Sequence, residues 1–133
     1  MINIYNYTRV KLLDICDVER AKKNKIYKAG SVALQVSATH GDLIFLEKDS
    51  IVETKYAVII PKIEIEGKYL KYVIGREMEK FLYQNQSGIN IQIDSLGALY
   101  VDVHNDIETQ KYVMQCLEKY EDMEKKEILL ETK

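Results

Sequence analysis

A chain of 133 residues, 47% hydrophobic and 30% charged, is long enough to close one core and too apolar to stay disordered. Its net charge of −2 hides an asymmetry, with +4 in residues 1–30, −3 in residues 31–105 and −3 in residues 106–133. The two cysteines, Cys16 and Cys116, lie in no metal-type or redox-type spacing, so buried thiols in a reducing compartment are expected.

The opening Met1-Ile2-Asn3-Ile4-Tyr5-Asn6-Tyr7 lacks a basic start followed by a long apolar stretch. No segment approaches the length of a membrane span, so a cytoplasmic chain without a membrane partner is expected. Val10, Leu12, Leu13, Ile15 and Cys16 fall in a helical rhythm that predicts a short helix over 10–18. A polar run rich in lysine follows and ends at Ala29-Gly30, a turn. Val32, Leu34 and Val36 alternate as one face of a strand, and residues 37–42 form a turn-rich connection. Residues 43–46 and 56–60 are short apolar strands, the second stopped by Pro61, with Ile51-Val52 a candidate added strand between them.

Gly67 opens a helix whose stripe, Tyr69, Leu70, Val73, Met78, Phe81 and Leu82, suits packing on a sheet; Gly75 near its middle weakens it slightly. Residues 89–93 alternate in an extended manner, 94–97 form one turn, and 98–103 make a last strand. From Asp106 to the end there is neither glycine nor proline. Asp106 is placed to cap a long helix, and Glu108 in its first turn complements the helix dipole. Val113, Leu117 and Tyr120 form a narrow stripe on it, with Cys116 and Met123 alongside. Such a stripe needs a partner, from this chain or from another. The fold class is α+β: a small mixed sheet with packed helices over residues 1–105, followed by a C-terminal assembly helix over 106–133.

Catalytic constellations are scarce. His40 and His104 have no zinc-type spacing, and no glycine-rich phosphate loop is present, so no metal, cofactor or enzymatic activity is expected. The polar loops read better as a contact surface. Arg20, Lys22, Lys23, Lys25 and Lys28 fall within nine residues and suit backbone phosphates. Gln35, Ser37, Thr39 and His40 follow on the next strand and its loop, while Asn90 and Gln92 share one face of the extended segment. Amide side chains make paired hydrogen bonds to adenine edges in the major groove. The same residues also fit a plain solvated surface.

The order of segments resembles a target-recognition domain of the DNA-specificity subunit of type I restriction–modification systems. Val10-Lys11-Leu12-Leu13-Asp14-Ile15-Cys16-Asp17-Val18 is similar to that family's opening, and Lys28-Ala29-Gly30-Ser31-Val32 to its entry into the first core strand. Tyr56-Ala57-Val58-Ile59-Ile60-Pro61-Lys62, followed by Gly67-Lys68-Tyr69-Leu70, resembles the family's strand, proline and Tyr-Leu helix. The stretch from Ser87-Gly88 to Leu96 is similar to its Ser-Gly-rich segment, and Ile107-Glu108-Thr109-Gln110 to the start of its conserved helix. The tandem prolines of that helix start are replaced here by His104-Asn105-Asp106.

The resemblance implies a non-catalytic module that binds double-stranded DNA and docks methyltransferase subunits. With one recognition domain and one helix the chain reads as half a specificity subunit, and a homodimer through Val113, Leu117 and Tyr120 would read a symmetric site. Lys22, Lys23 and Lys25 would hold backbone; Gln35, Ser37, Thr39, His40, Asn90 and Gln92 are the candidates for base edges. The alternative is a protein-interaction or regulatory remnant of the same fold that does not bind DNA, which the acidic balance of residues 31–133 favours.

Overall fold

The computed structural model describes residues 2–35, 43–84, 96 and 99–131, with 79–84 and 122–131 described by backbone alone. The described strands are β1 (Tyr7–Lys11), β2 (Cys16–Arg20), β3 (Ile26–Tyr27), β4 (Val32–Gln35), β5 (Leu43–Phe45), β6 (Ser50–Ile51), β7 (Tyr56–Pro61) and β8 (Tyr100–His104). The helices are a single turn α1 (Leu12–Ile15), then α2 (Gly67–Gln84) and the terminal α3 (Ile107–Glu131). A four-stranded sheet runs β2-β7-β4-β5, and two ribbons, β1-β8 and β3-β6, flank it. The α+β class holds, and the expected mixed sheet is refined: every described strand pair is antiparallel.

The sheet is covered on both faces, and alternation along each strand shows how. Val32, Leu34 and Ile59 point to one face, where Tyr69, Leu70, Val73, Ile74 and Met78 of α2 pack on them. Ala33 and Val58 point to the other, where Ala21, Tyr27, Leu46 and Val52 close a second, smaller core beneath the β3-β6 ribbon. The central strand β7 therefore needs apolar residues at successive positions, which is why 56–60 is an unbroken apolar run. Full burial of a side chain such as Leu70 or Ile74 contributes about 1.5–3 kcal/mol. Pro61 is the last residue of its strand, opposite Cys16, and pairing resumes one residue on, where the Lys62 N–H donates to the Ile15 carbonyl at 2.8 Å.

Gly67 and Gly75 allow α2 to lie close to β5. A methyl group added at Gly67 would overlap the Phe45 ring, and one at Gly75 would stand 3.3 Å from Leu43 Cδ1. The glycine in mid-helix thus faces Leu43 of β5.

Residues 10–18 do not form the predicted helix. They are the end of β1, the single turn α1 and the start of β2. Leu12, Ile15 and Cys16 are buried in either arrangement, so local periodicity cannot separate the two. Distant partners decide it: β1 pairs with β8, Val10 opposite Val101, and β2 with β7. The expected added strand is Ser50–Ile51 rather than Ile51-Val52, and the last strand is Tyr100–His104. Of the two thiols expected to be buried, one is. Cys16 is buried, and burial pushes its pKa up to about 12, whereas Cys116 is exposed on α3.

Candidate nucleic-acid interface and the terminal helix

The lysine-rich segment is a tight turn between β2 and β3. Asn24 adopts a left-handed backbone with φ of 65°, which a short polar side chain tolerates, and the Lys25 N–H donates to the Lys22 carbonyl at 3.2 Å. The turn is braced from below. Tyr27, buried in the second core, donates its hydroxyl to Glu19 Oε2 at 2.7 Å and accepts the Lys22 backbone N–H at 3.0 Å. Lys25 Nζ stands 3.0 Å from the same carboxylate oxygen and 5.1 Å from the Tyr27 ring centre. The Tyr27 hydrogen bond and then Lys25 hold the Glu19 carboxyl below its ordinary range.

This bracing sorts the five cations. Lys25 is committed to Glu19, and Arg20 donates its Nε to the Thr54 carbonyl at 2.8 Å while staying exposed. Lys22, Lys23 and Lys28 are exposed and form no ion pair among the described residues. Gln35, half-buried, ends β4 opposite Tyr56, while Arg20 ends β2 opposite Ala57. The structure therefore brings Arg20, the turn and Gln35 to one end of the sheet, on either side of the start of β7. Lys28 lies toward the other end, just before β4. Ser37, Thr39, His40, Asn90 and Gln92 lie outside the described residues.

The entry to α3 is built with closely fitted polar contacts. Asp106 caps it: Oδ1 accepts the Thr109 N–H at 2.7 Å, and the buried Thr109 hydroxyl donates to both carboxylate oxygens at 2.8 and 2.7 Å. These bonds, the hydroxyl first, hold the Asp106 carboxyl below its ordinary pKa. Gln110, only 3% exposed, bridges two elements: its Nε2 donates to the His104 carbonyl at 2.9 Å, and its Oε1 accepts the Glu66 N–H at 2.9 Å. Glu66 in turn accepts the Tyr69 N–H at 2.7 Å, at the first turn of α2.

Fully buried Tyr69 completes this junction. Its oxygen accepts the His104 backbone N–H at 2.8 Å, and its hydroxyl donates to His104 Nδ1 at 2.6 Å. His104 Nε2 lies 2.8 Å from the Ile4 carbonyl, an acceptor only, which places the ring proton on Nε2. Helix α3 thus leaves the domain in a direction fixed by β8, α2 and the N-terminal segment together. From sequence, His104 reads only as a residue that helps the turn, and Gln110 only as part of a motif; the contacts that give them their roles are long-range.

Beyond the junction, the expected stripe on α3 divides. Val113 and Met114 pack on the main core of this chain. Leu117 is half-buried and lines a groove of about 900 Å³ whose other walls include Leu43, Phe45, Tyr72 and Gly75. Tyr120 is 62% exposed, and Tyr112 and Cys116 are also exposed. Only the outer part of the stripe faces away from the domain. Sequence reasoning also missed an exposed cross-strand pair on the β3-β6 ribbon, Ile26 and Ile51.

No protein-family model matches this sequence, and no curated protein matches it. A solved structure does, the HsdS subunit from Thermoanaerobacter tengcongensis, with a TM-score of 0.68 over 92% of this chain at 13% identity. The chain shares the fold of part of that subunit. It spans 39% of the length of that protein. Among the described residues no cluster of three His, Cys, Asp or Glu side chains could hold a metal ion, and no helix is long and apolar enough to cross a membrane.

Proposed function

We propose that this chain is a DNA-sequence-specificity module of a type I restriction–modification system: a recognition domain over residues 1–105 and an assembly helix over 106–133. It is non-catalytic, binds double-stranded DNA in the cytoplasm and docks a methyltransferase subunit that carries the chemistry. The observation that carries this reading is the shared fold with an HsdS subunit over 92% of the chain. Exposed Lys22 and Lys23, at the same end of the sheet as Gln35 and across β7 from it, support a phosphate-facing edge that also presents an amide. The division of the α3 stripe supports assembly through its outer part, with Leu117 and Tyr120 rather than Val113 at the seam, in a homodimer or against the methyltransferase.

The competing reading is a protein-interaction module that no longer binds DNA, and the commitment of Lys25 to Glu19 favours it. One experiment separates the two. The full chain is co-expressed with a type I methyltransferase subunit, and the co-purified complex is titrated with duplex DNA across salt concentrations. The specificity reading expects a stable complex whose duplex affinity falls steeply with salt, because each neutralised phosphate releases counterions. A stable complex with no duplex affinity at low salt leaves only the protein-interaction reading.

A further inference from the structure

The β3-β6 ribbon has an apolar outer face in a basic setting. Tyr27 and Val52 point inward, 2% and 7% exposed, and hold the ribbon on the sheet. Ile26 and Ile51 are direct register partners, so they project side by side from the opposite face, 65% and 63% exposed. A solvated ribbon edge ordinarily carries polar or charged side chains at such positions. Around the pair the charge is cationic. Segments 19–28 and 47–55 together hold seven basic and four acidic side chains, a balance of +3 in a chain of net charge −2. Two of those acids are turned to the protein: Glu19 binds Tyr27 and Lys25, and Asp49 accepts the Ala29 N–H at 2.9 Å.

We infer that the β3-β6 ribbon enters the DNA major groove and that Ile26 and Ile51 contact thymine 5-methyl groups there. The inference rests on the DNA-binding reading above and adds a base contact to it. The major groove, about 12 Å wide, admits a two-stranded ribbon, and the thymine methyl is the one apolar group it displays. Two β-branched side chains held side by side offer a stiff apolar surface to it, with little rotamer freedom to lose. Lys22 and Lys23 in the turn before β3, and Lys28 just after it, are placed to reach the flanking phosphates. A polyanionic partner matches the lysines, and a methyl in the groove matches the isoleucines.

The test uses the full chain in its co-purified methyltransferase complex and a pool of randomised duplexes at low salt, selected over several rounds. The enriched duplexes are then resynthesised with deoxyuridine in place of thymidine, which removes the methyl alone. The wild type is expected to lose about fourfold in affinity for each contacted methyl. I26S/I51S, whose fold is checked by its melting curve, is expected to bind the thymine duplex more weakly and to be indifferent to the replacement. Salt-dependent wild-type binding with no preference for thymine over uracil overturns this contact and leaves the DNA reading intact. A double variant that still discriminates does the same. No duplex binding by the wild-type complex overturns the DNA reading and this contact with it.

Discussion

The junction at the start of α3 and the lysine turn before β3 are both polar, and they treat their polar groups in opposite ways. At the junction Thr109 and Gln110 are buried, and Gln110, Tyr69 and His104 bond to one another or to backbone at Ile4, Glu66 and the end of β8. At the turn, Glu19 and Tyr27 brace the backbone, but Lys22, Lys23 and Lys28 are left to solvent. A buried hydrogen-bond network is costly to leave half-made, so it fixes geometry. Exposed cations contribute little to the fold and are available to a partner. The junction sets where the helix points; the turn leaves three of its lysines in solvent.

The strongest way to break this contrast is at Gln110. Gln110→Ala removes both bonds of the bridge and strands the Glu66 N–H and the His104 carbonyl, so about 2–4 kcal/mol of stability should be lost. Urea denaturation reads it directly, and a change below about 0.5 kcal/mol would mean the bridge is dispensable. Tyr69→Phe is milder. It keeps the ring in the core but leaves the His104 N–H and Nδ1 without their partner, for about 1–3 kcal/mol. Because Tyr69 and Gln110 both act on His104, the double variant should cost less than the two single losses added together.

Acid should loosen the junction next. The Asp106 pKa is depressed in the folded chain, so the stability from its cap is fully present above the ordinary carboxylate range and lost as pH falls through the depressed value. Urea midpoints measured downward from about pH 5 should therefore fall less steeply in Asp106→Asn, which keeps a capping oxygen without the titration. Glu19 is depressed as well and contributes to the same slope, so Glu19→Gln serves as the reference for the part that belongs to the turn. Equal slopes in wild type and Asp106→Asn would assign the acid sensitivity elsewhere.

Elements whose residues sit in one local pattern were legible in the sequence. The Asp106 cap, the α2 stripe and the doubly buried run of β7 each announce themselves within about a dozen residues. What depends on distant partners was not. Val10 and Cys16 fit a helix until β8 and β7 are there to pair with β1 and β2. The β3-β6 ribbon has two residues on each strand, too few to show an alternation, so exposed Ile26 and Ile51 could not be foreseen. The lysines were visible as charge, but which of them stays free depends on where Glu19 and Tyr27 lie in space. Cys116 shares helical spacing with apolar residues and is nevertheless exposed, because it lies with Tyr112 and Tyr120 on the face of α3 turned away from the groove that Leu117 lines.

The other half of the contrast is tested by a substitution that should leave the fold alone. Lys22→Ala/Lys23→Ala removes two exposed charges that form no ion pair among the described residues, so stability should stay within about 0.5 kcal/mol of wild type. Their whole effect should appear against duplex DNA. If each lysine neutralises one phosphate, the slope of log affinity against log salt should shrink by about two. Affinity should fall similarly for all sequences, since phosphate contacts carry no base information. Lys25→Ala is the internal control: Lys25 is held by Glu19, so its loss should change the slope less than either neighbour's. A Lys25 effect as large as that of Lys22 would mean that DNA draws this lysine off its carboxylate, and the turn would then offer one more cation than the free chain displays.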